Sequence, residues 1–470
     1  MARDERMEPD LAALRESYAR AGQGHVFAHW DALGERARRR LVRQLQQVDL
    51  AQLEAIAAAA EAQREKPARL LSPAPTFELA DGAFPYAPNA AASACAPQGQ
   101  RALQRGEVAV LLVAGGQGTR LGFDGPKGCY PILPISGMTL FEVFARKVLR
   151  AGCEYGRTPP LYVMVGAHND SQTCAFFEQH SYFGLRAEDV QFFVQGEFPA
   201  LDTQGRLVMA APDALWTGPD GHGGVIEAMQ RTGVLADMRA RGVRYVSYVQ
   251  VDNVQIPVAD AAFIGLHINE GAEVSLKVVR KTDPFEKVGI FCLDDGVPSI
   301  VEYTEFSDED SRRIGPGGRL SWWQGSIAVH CFGVDFLQRL ADTRTALPLH
   351  AALKKVRTAA GETEAYKFER YVFDTLPLAT HVVALEVPRE EQFLPLKNPD
   401  GPFGPEGVRA AYQAYWKRAL KTARPDLPEP PSIEVDPALC ENARELAGAI
   451  EGREVNTAAP LRLELPALQR

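Results

Sequence analysis

The 470-residue chain lacks several features that would have marked a class at once. Its seven cysteines (Cys95, Cys129, Cys153, Cys174, Cys292, Cys331 and Cys440) are odd in number, and no two lie within twenty residues of each other. Neither CxxC metal spacing nor a dense disulfide framework can be drawn from them, which fits a reducing compartment. A run of eighteen or more apolar residues is also missing, and the charged opening MARDERMEPDLAALRESYARAG has no apolar core of the kind a secretory leader needs. The expectation is a cytoplasmic protein, neither exported nor inserted in a membrane. Basic excess is absent too: the formal charge is -9 at pH 7, whereas nucleic-acid binding calls for a basic face. The RARRR run, Arg36 to Arg40, therefore reads as the solvated face of a helix.

What is present has two textures. From Leu11 to about Ala62 apolar residues recur at three- and four-residue spacing (Leu11, Leu14, Tyr18, then Leu33, Leu41, Leu45, Leu50, Leu53), which predicts helices. The Pro- and Ala-rich SPAPTFELADGAFPYAPNAAASACAP breaks that period and reads as an extended connection. Beyond it, β-rich runs (EVAVLLVA, LYVMVG, VQFFVQ, RYVSYVQVDN) alternate with helical ones (TLFEVFARKVLRAG, SQTCAFFEQH, GGVIEAMQRTGVLADMRARG). Alternation of this kind argues for an α/β fold with a central, mainly parallel sheet covered by helices. Past Pro395 the sequence turns to Pro, Gly and charge. The expected division is a helical region and linker over residues 1–100, a catalytic domain over 101–395 and a small C-terminal region over 396–470.

The stretch LLVAGGQGTRLGFDGPKG, residues 111–128, concentrates the chemistry. A strand empties into glycines and then presents Arg120 and Lys127. The Rossmann pattern is not met, because the glycine after Gly116 and Gly118 is Gly122, one residue late, and no second βαβ half follows an acidic residue at the usual distance. The Walker pattern fails as well: Pro126 precedes Lys127, and Cys129 stands where Ser or Thr is needed. What remains is a turn at Gly115 and Gly116, a nest of backbone N–H groups around Gly118 and Thr119, and two cations, an arrangement suited to a polyphosphate.

That stretch resembles the LxxGGxGTRLGxxxPK signature of the sugar-nucleotide pyrophosphorylases that use UTP. The resemblance continues in order through AGQGHVFAHW, FFVQGEFPALD, GPDGHGGV, VDNVQIPVADAAFIGLHINEGAEVSLKVVRKTDPFEKVGIF, VEYTEF, GSIAVHCF, YKFERYVFD and EVPREEQFLPLKN, over about residues 20–400. Within that family the chain is most similar to the eukaryotic-type UDP-N-acetylhexosamine pyrophosphorylases. The resemblance implies a Rossmann-like nucleotidyltransferase sheet and a reaction in which a sugar 1-phosphate attacks the α-phosphorus of UTP in line, releasing pyrophosphate. It implies Mg²⁺ as cofactor, UTP and a hexose 1-phosphate as substrates, and neither nucleic acid nor membrane as partner.

The same resemblance assigns residues. Asp252 matches the metal-binding aspartate, a hard oxygen ligand suited to Mg²⁺; from its position alone it could equally cap a helix. Arg120 and Lys127 match the triphosphate-facing pair, and by charge would stabilise the transition state at the α-phosphate. Lys397 in LPLKN, and less directly Lys367 in YKFE, match phosphate-reaching lysines. Gly115, Gly116, Gly118 and Thr119 form the nucleotide loop, with Gln195 and Gly221 at positions that read uracil; an amide can pair with an imide edge by donor and acceptor together. Gly289 and Glu302 match positions that bind sugar hydroxyls. Two positions depart from the family: His222 (GHGG for GNGG) and Ser326 (GSIA for GNIA) replace asparagines facing the sugar. N-acetylglucosamine 1-phosphate is the expected sugar, with glucose 1-phosphate or broad specificity as the alternative. A silent UDP-sugar sensor is the non-enzymatic reading, and the presence of Asp252, Arg120 and Lys127 argues against it.

Overall fold

The computed structural model describes residues 11–51, 53, 56, 69–343, 345 and 347–464. The first ten residues, part of the expected helical stretch up to Ala62, and the last six residues of the C-terminal region lie outside them. The chain divides into two compact units. One takes in Met1–Ala68, Gly196–Gly224 and Ala346–Val372; the other takes in Arg69–Gln195, Val225–Thr345 and Phe373–Arg470.

In the first unit, α1 (Leu11–Arg20) and α2 (Glu35–Gln47) bury the apolar side that their spacing predicted: Tyr18, Leu41 and Leu45 pack with Leu201, Leu207, Leu215 and Phe368. Polar groups complete the fit. Gln23 donates to Gly205 O (3.0 Å) and accepts from Leu207 N (2.8 Å), so one amide satisfies both backbone groups of a turn. A long antiparallel hairpin, His350–Thr358 with Gly361–Glu369, belongs to the same unit.

The second unit is built on a ten-stranded sheet. Its strands are β1 (Leu71–Pro73), β2 (Val108–Val113), β3 (Leu161–Val165), β4 (Val190–Val194), β5 (Tyr245–Gln250), β6 (Val274–Arg280), β7 (Ile290–Asp294), β8 (Val297–Val301), β9 (Gln324–Gly333) and β10 (Val382–Glu386). The order β5-β2-β3-β4 is parallel throughout, and these strands read as the continuous apolar runs of a sheet covered on both faces. Beyond β5 the sheet becomes antiparallel through β9, which also pairs β6 and touches β7. β9 can serve these neighbours because its register against β6 shifts between Leu276 and Val278, where Ala328 takes a positive φ of 55°.

Helices α3 (Ala90–Arg105), α4 (Leu140–Tyr155) and α5 (Ala261–Glu270) flank the sheet. α3 corrects the expectation of an extended connection: Asn89 caps it by accepting from Ala91 N and Ala92 N, and the alanine run behind that cap carries Pro97 inside the helix. α3 lies against α5 at glycines, since a Cβ at Gly99 would strike Ala261 O and one at Gly265 would strike Cys95 O. Near the end of the chain, α6 (Pro405–Ala423) and α7 (Ala443–Ile450) pack on one another and join the main core through Tyr412, Trp416 and Leu446.

Candidate active site

The glycine-rich stretch leaves the carboxyl end of β2, where ligands sit in open α/β sheets. It closes on itself: Lys127 N–H donates to Gly116 O (3.0 Å), and both Leu121 N–H (2.8 Å) and Phe123 N–H (3.1 Å) donate to Gly118 O. Gly115 has no room for a side chain, because a Cβ there would run into Gln195 Oε1; Gly116 faces open space, with nothing within 4 Å of such a Cβ. Asn169 supports the turn from beneath. Fully buried, it accepts from Gly166 N (2.8 Å) and donates to Gly116 O (3.3 Å).

Across from this loop, β5 ends at Gln250 and Asp252 stands in the turn that follows. The Lys127 ammonium lies 3.6 Å from Asp252 Oδ2, and both side chains remain partly accessible, 17 % and 14 % exposed. Burial pushes the Lys127 ammonium below its ordinary value, Asp252 draws it back up, and the charges of Lys397 and Arg120 push it down. Three cations and one carboxylate thus share a single electrostatic neighbourhood. Backbone bonds fix part of it: Leu396 N–H donates to Asp252 O (2.9 Å), which seats Lys397 beside the aspartate loop. Asn253 completes the tie, its Nδ2 donating to Gln392 O (2.8 Å) and its Oδ1 accepting from Leu394 N (2.9 Å).

The residues of this unit that the resemblance assigns to the sugar form a separate small group. Ser326 N–H donates to Gly289 O (2.8 Å), and a Cβ at Gly289 would meet Ile300 Cγ2 at 2.7 Å with Glu302 Oε1 3.8 Å away. The Glu302 side chain also caps the short turn Tyr303–Glu305. The other unit carries Gly221, His222 and Lys367. Gly221 holds φ 83° against the backbone of Arg370. His222 Nδ1 accepts from Val372 N (3.0 Å), which leaves the ring proton on Nε2, and the ring stacks on Tyr371 at 5.3 Å. The Lys367 ammonium lies 4.4 Å from the centre of the Trp216 ring.

Sequence reasoning missed Asn169 and Asn253. Asn253 belongs to the VDN stretch and Asn169 stands four residues past the end of β3, but nothing in either local pattern says that the amide is buried and holds a loop.

Among the described residues no three or more His, Cys, Asp or Glu side chains gather as an all-protein metal cage. A single accessible carboxylate beside phosphate-binding cations is nevertheless the donor set that a hard, water-retaining cation uses when substrate phosphates complete its shell. Asp252 fits that role.

Known proteins resemble this chain in sequence and fold. Residues 92–406 match the family described as "UTP--glucose-1-phosphate uridylyltransferase", and the chain belongs to that family. Among curated relatives, UDP-N-acetylglucosamine diphosphorylase 2 of Arabidopsis thaliana is 35% identical over 404 residues, covering 83% of this chain and 80% of its own. UDP-N-acetylglucosamine pyrophosphorylase of Saccharomyces cerevisiae is 33% identical over 484 residues, covering 94% and 98%. The crystal structure of uridine diphosphate N-acetylglucosamine pyrophosphorylase from Trypanosoma brucei, in complex with an inhibitor, superimposes with a TM-score of 0.84 at 26% identity over 98% of this chain and 99% of that one. No helix among the described residues is long and apolar enough to cross a membrane.

Proposed function

We propose that this protein is a metal-dependent uridylyltransferase that joins UTP to N-acetylglucosamine 1-phosphate, giving UDP-N-acetylglucosamine and pyrophosphate. The observation that carries the reading is the Lys127–Asp252 pair at 3.6 Å, set between a glycine loop and Lys397. The relatives named for N-acetylglucosamine support that sugar over glucose.

In this reading Gly115, Gly116, Gly118 and Thr119 admit the triphosphate, and Gln195, packed on Gly115, reads the uracil edge. Asp252 would hold Mg²⁺, which would neutralise phosphate charge. Arg120 and Lys127 stabilise charge on the α-phosphate and the departing pyrophosphate, Lys397 steadies a phosphate of the sugar or nucleotide, and Lys367 is a further phosphate contact. The sugar phosphate is already anionic at neutral pH, so attack needs no general base; positioning and charge neutralisation do most of the work. Gly289, Glu302 and Ser326 face the sugar.

The test is pyrophosphate release from UTP and Mg²⁺ with N-acetylglucosamine 1-phosphate and glucose 1-phosphate in parallel. Preference for the acetylated sugar is expected. Release with neither sugar overturns the reaction, and preference for glucose overturns the substrate.

A further inference from the structure

Lys147 is out of place by composition. It lies in the middle of α4 among Phe144, Ala145, Val148 and Ala151, all buried, and is itself only 4% exposed. A buried ammonium is tolerated where its protons find acceptors. Lys147 Nζ donates to Val254 O and to Ile256 O, each at 2.7 Å.

Those carbonyls belong to the segment that starts at Asp252 and runs irregularly to the cap of α5 at Asp260. Its own short-range bonds are long: Asn253 N to Gln250 O and Ile256 N to Asn253 O both measure 3.4 Å. One ammonium therefore gathers two carbonyls of a loop that does little to fix itself. The far end is held in a similar way, by fully buried Lys277 donating to Asp260 Oδ2 (2.6 Å) and Gln392 Oε1 (2.7 Å). α4, moreover, is the next α-helix after the loop that carries Lys127, its Thr139 cap standing twelve residues on. The helix leading out of the phosphate loop thus grips the backbone two and four residues beyond Asp252.

We propose that Lys147 is a positioning residue for the Asp252 carboxylate: it sets that carboxylate relative to Lys127 through the backbone of residues 254–256 and touches no substrate. The proposal rests on the reading of Asp252 as the metal ligand.

The test compares Lys147→Met, which keeps bulk and loses the donors, with Lys147→Arg, which keeps donors, and with Leu446→Ala, a core change in α7 remote in sequence from the loop. Mn²⁺ binding to the UTP complex is read by water-proton relaxation, alongside the Mg²⁺ concentration for half-maximal turnover and the KM for UTP. Lys147→Met should weaken both metal constants by about 10-fold to 100-fold, the range found when residues that orient metal ligands are changed. UTP KM should stay within about twofold, Lys147→Arg should recover part of the metal affinity, and Leu446→Ala should lose stability with metal constants intact. Should Lys147→Met fail to fold, Lys147→Leu, which likewise has no donor, reads the same constants. Wild-type metal constants in a folded Met or Leu variant, or an equal shift in Leu446→Ala, would overturn the proposal while a metal-dependent wild type left the proposed function standing. A wild type without metal-dependent pyrophosphate release would remove both.

Discussion

In the proposed reading, the phosphate-side cluster and the sugar-side group of the larger unit are built to different standards. Lys127 and Asp252 follow the carboxyl ends of parallel strands, and the loops that carry them are held by three buried polar side chains, Asn169, Asn253 and Lys147, each bonded to at least two backbone groups. Gly289 directly precedes β7 and Ser326 lies inside β9; the two share one backbone bond, and Glu302 caps a single turn after β8. The first arrangement is determined several times over and tolerates little change. The second is held by the sheet ladder, Ser326 lying opposite Val278, with fewer side-chain ties; in the proposed reading the side chain at 326 can therefore change without altering the phosphate side.

Removing charge from the phosphate side gives the largest expected effect. Lys127→Ala and Asp252→Ala should each lower kcat/KM for UDP-sugar synthesis by about 10³ or more, because preorganised charge is usually the largest catalytic contribution. Thermal midpoints should move little, since both side chains are partly exposed and neither fills the core. Near-normal kinetics in both variants would break the comparison by showing that the cluster is not where the reaction occurs.

The supports come next. Asn253 is 3% exposed, and Asn253→Ala leaves Leu394 N–H and Gln392 O without their partner, a loss of roughly 2–4 kcal/mol for buried groups. Ser326 Oγ makes only a 3.4 Å contact with Ala328 N, so Ser326→Ala should stay within about 0.5 kcal/mol. Urea unfolding of the two variants measures the difference directly. Equal losses would mean the sugar side is as firmly built as the phosphate side.

How much of this could be read beforehand depends on the range of the signal. β2 to β5 and α4 were legible because an apolar run or a 3.6-residue period is local, and the 111–128 stretch because its glycines and cations are consecutive. α3 was not, since Ala and Pro composition hid a helix that the Asn89 cap starts. The antiparallel continuation through β9 depends on a register shift and one positive φ, neither of which leaves a pattern. Pairing of Lys127 with Asp252 was implied only by resemblance, because 125 positions of sequence separate partners that the sheet topology makes neighbours. Asn169, Asn253 and Lys147 were invisible for a related reason: what they bond is backbone, and backbone acceptors carry no sequence signature.

The smallest effect sharpens the comparison most. Changing His222 and Ser326 together to Asn restores the residues that the resembling family carries at both positions. The His222→Asn change is conservative toward the backbone, because an Asn Oδ1 can accept from Val372 N–H as His222 Nδ1 does; it gives up the ring stacked on Tyr371 and replaces an imidazole N–H by an amide. The Ser326→Asn change adds an amide where a hydroxyl now makes one weak contact. Neither position lies in the loop at 115–127 or in the Asp252 turn, so UTP KM should hold within about twofold. The ratio of kcat/KM for N-acetylglucosamine 1-phosphate over glucose 1-phosphate should shift by about tenfold, or about 1.4 kcal/mol of differential binding. Initial-rate kinetics with both sugars measure the ratio. A shift in UTP KM equal to the shift in sugar preference would mean the two regions are coupled, and their different construction would then not translate into separate control of chemistry and substrate.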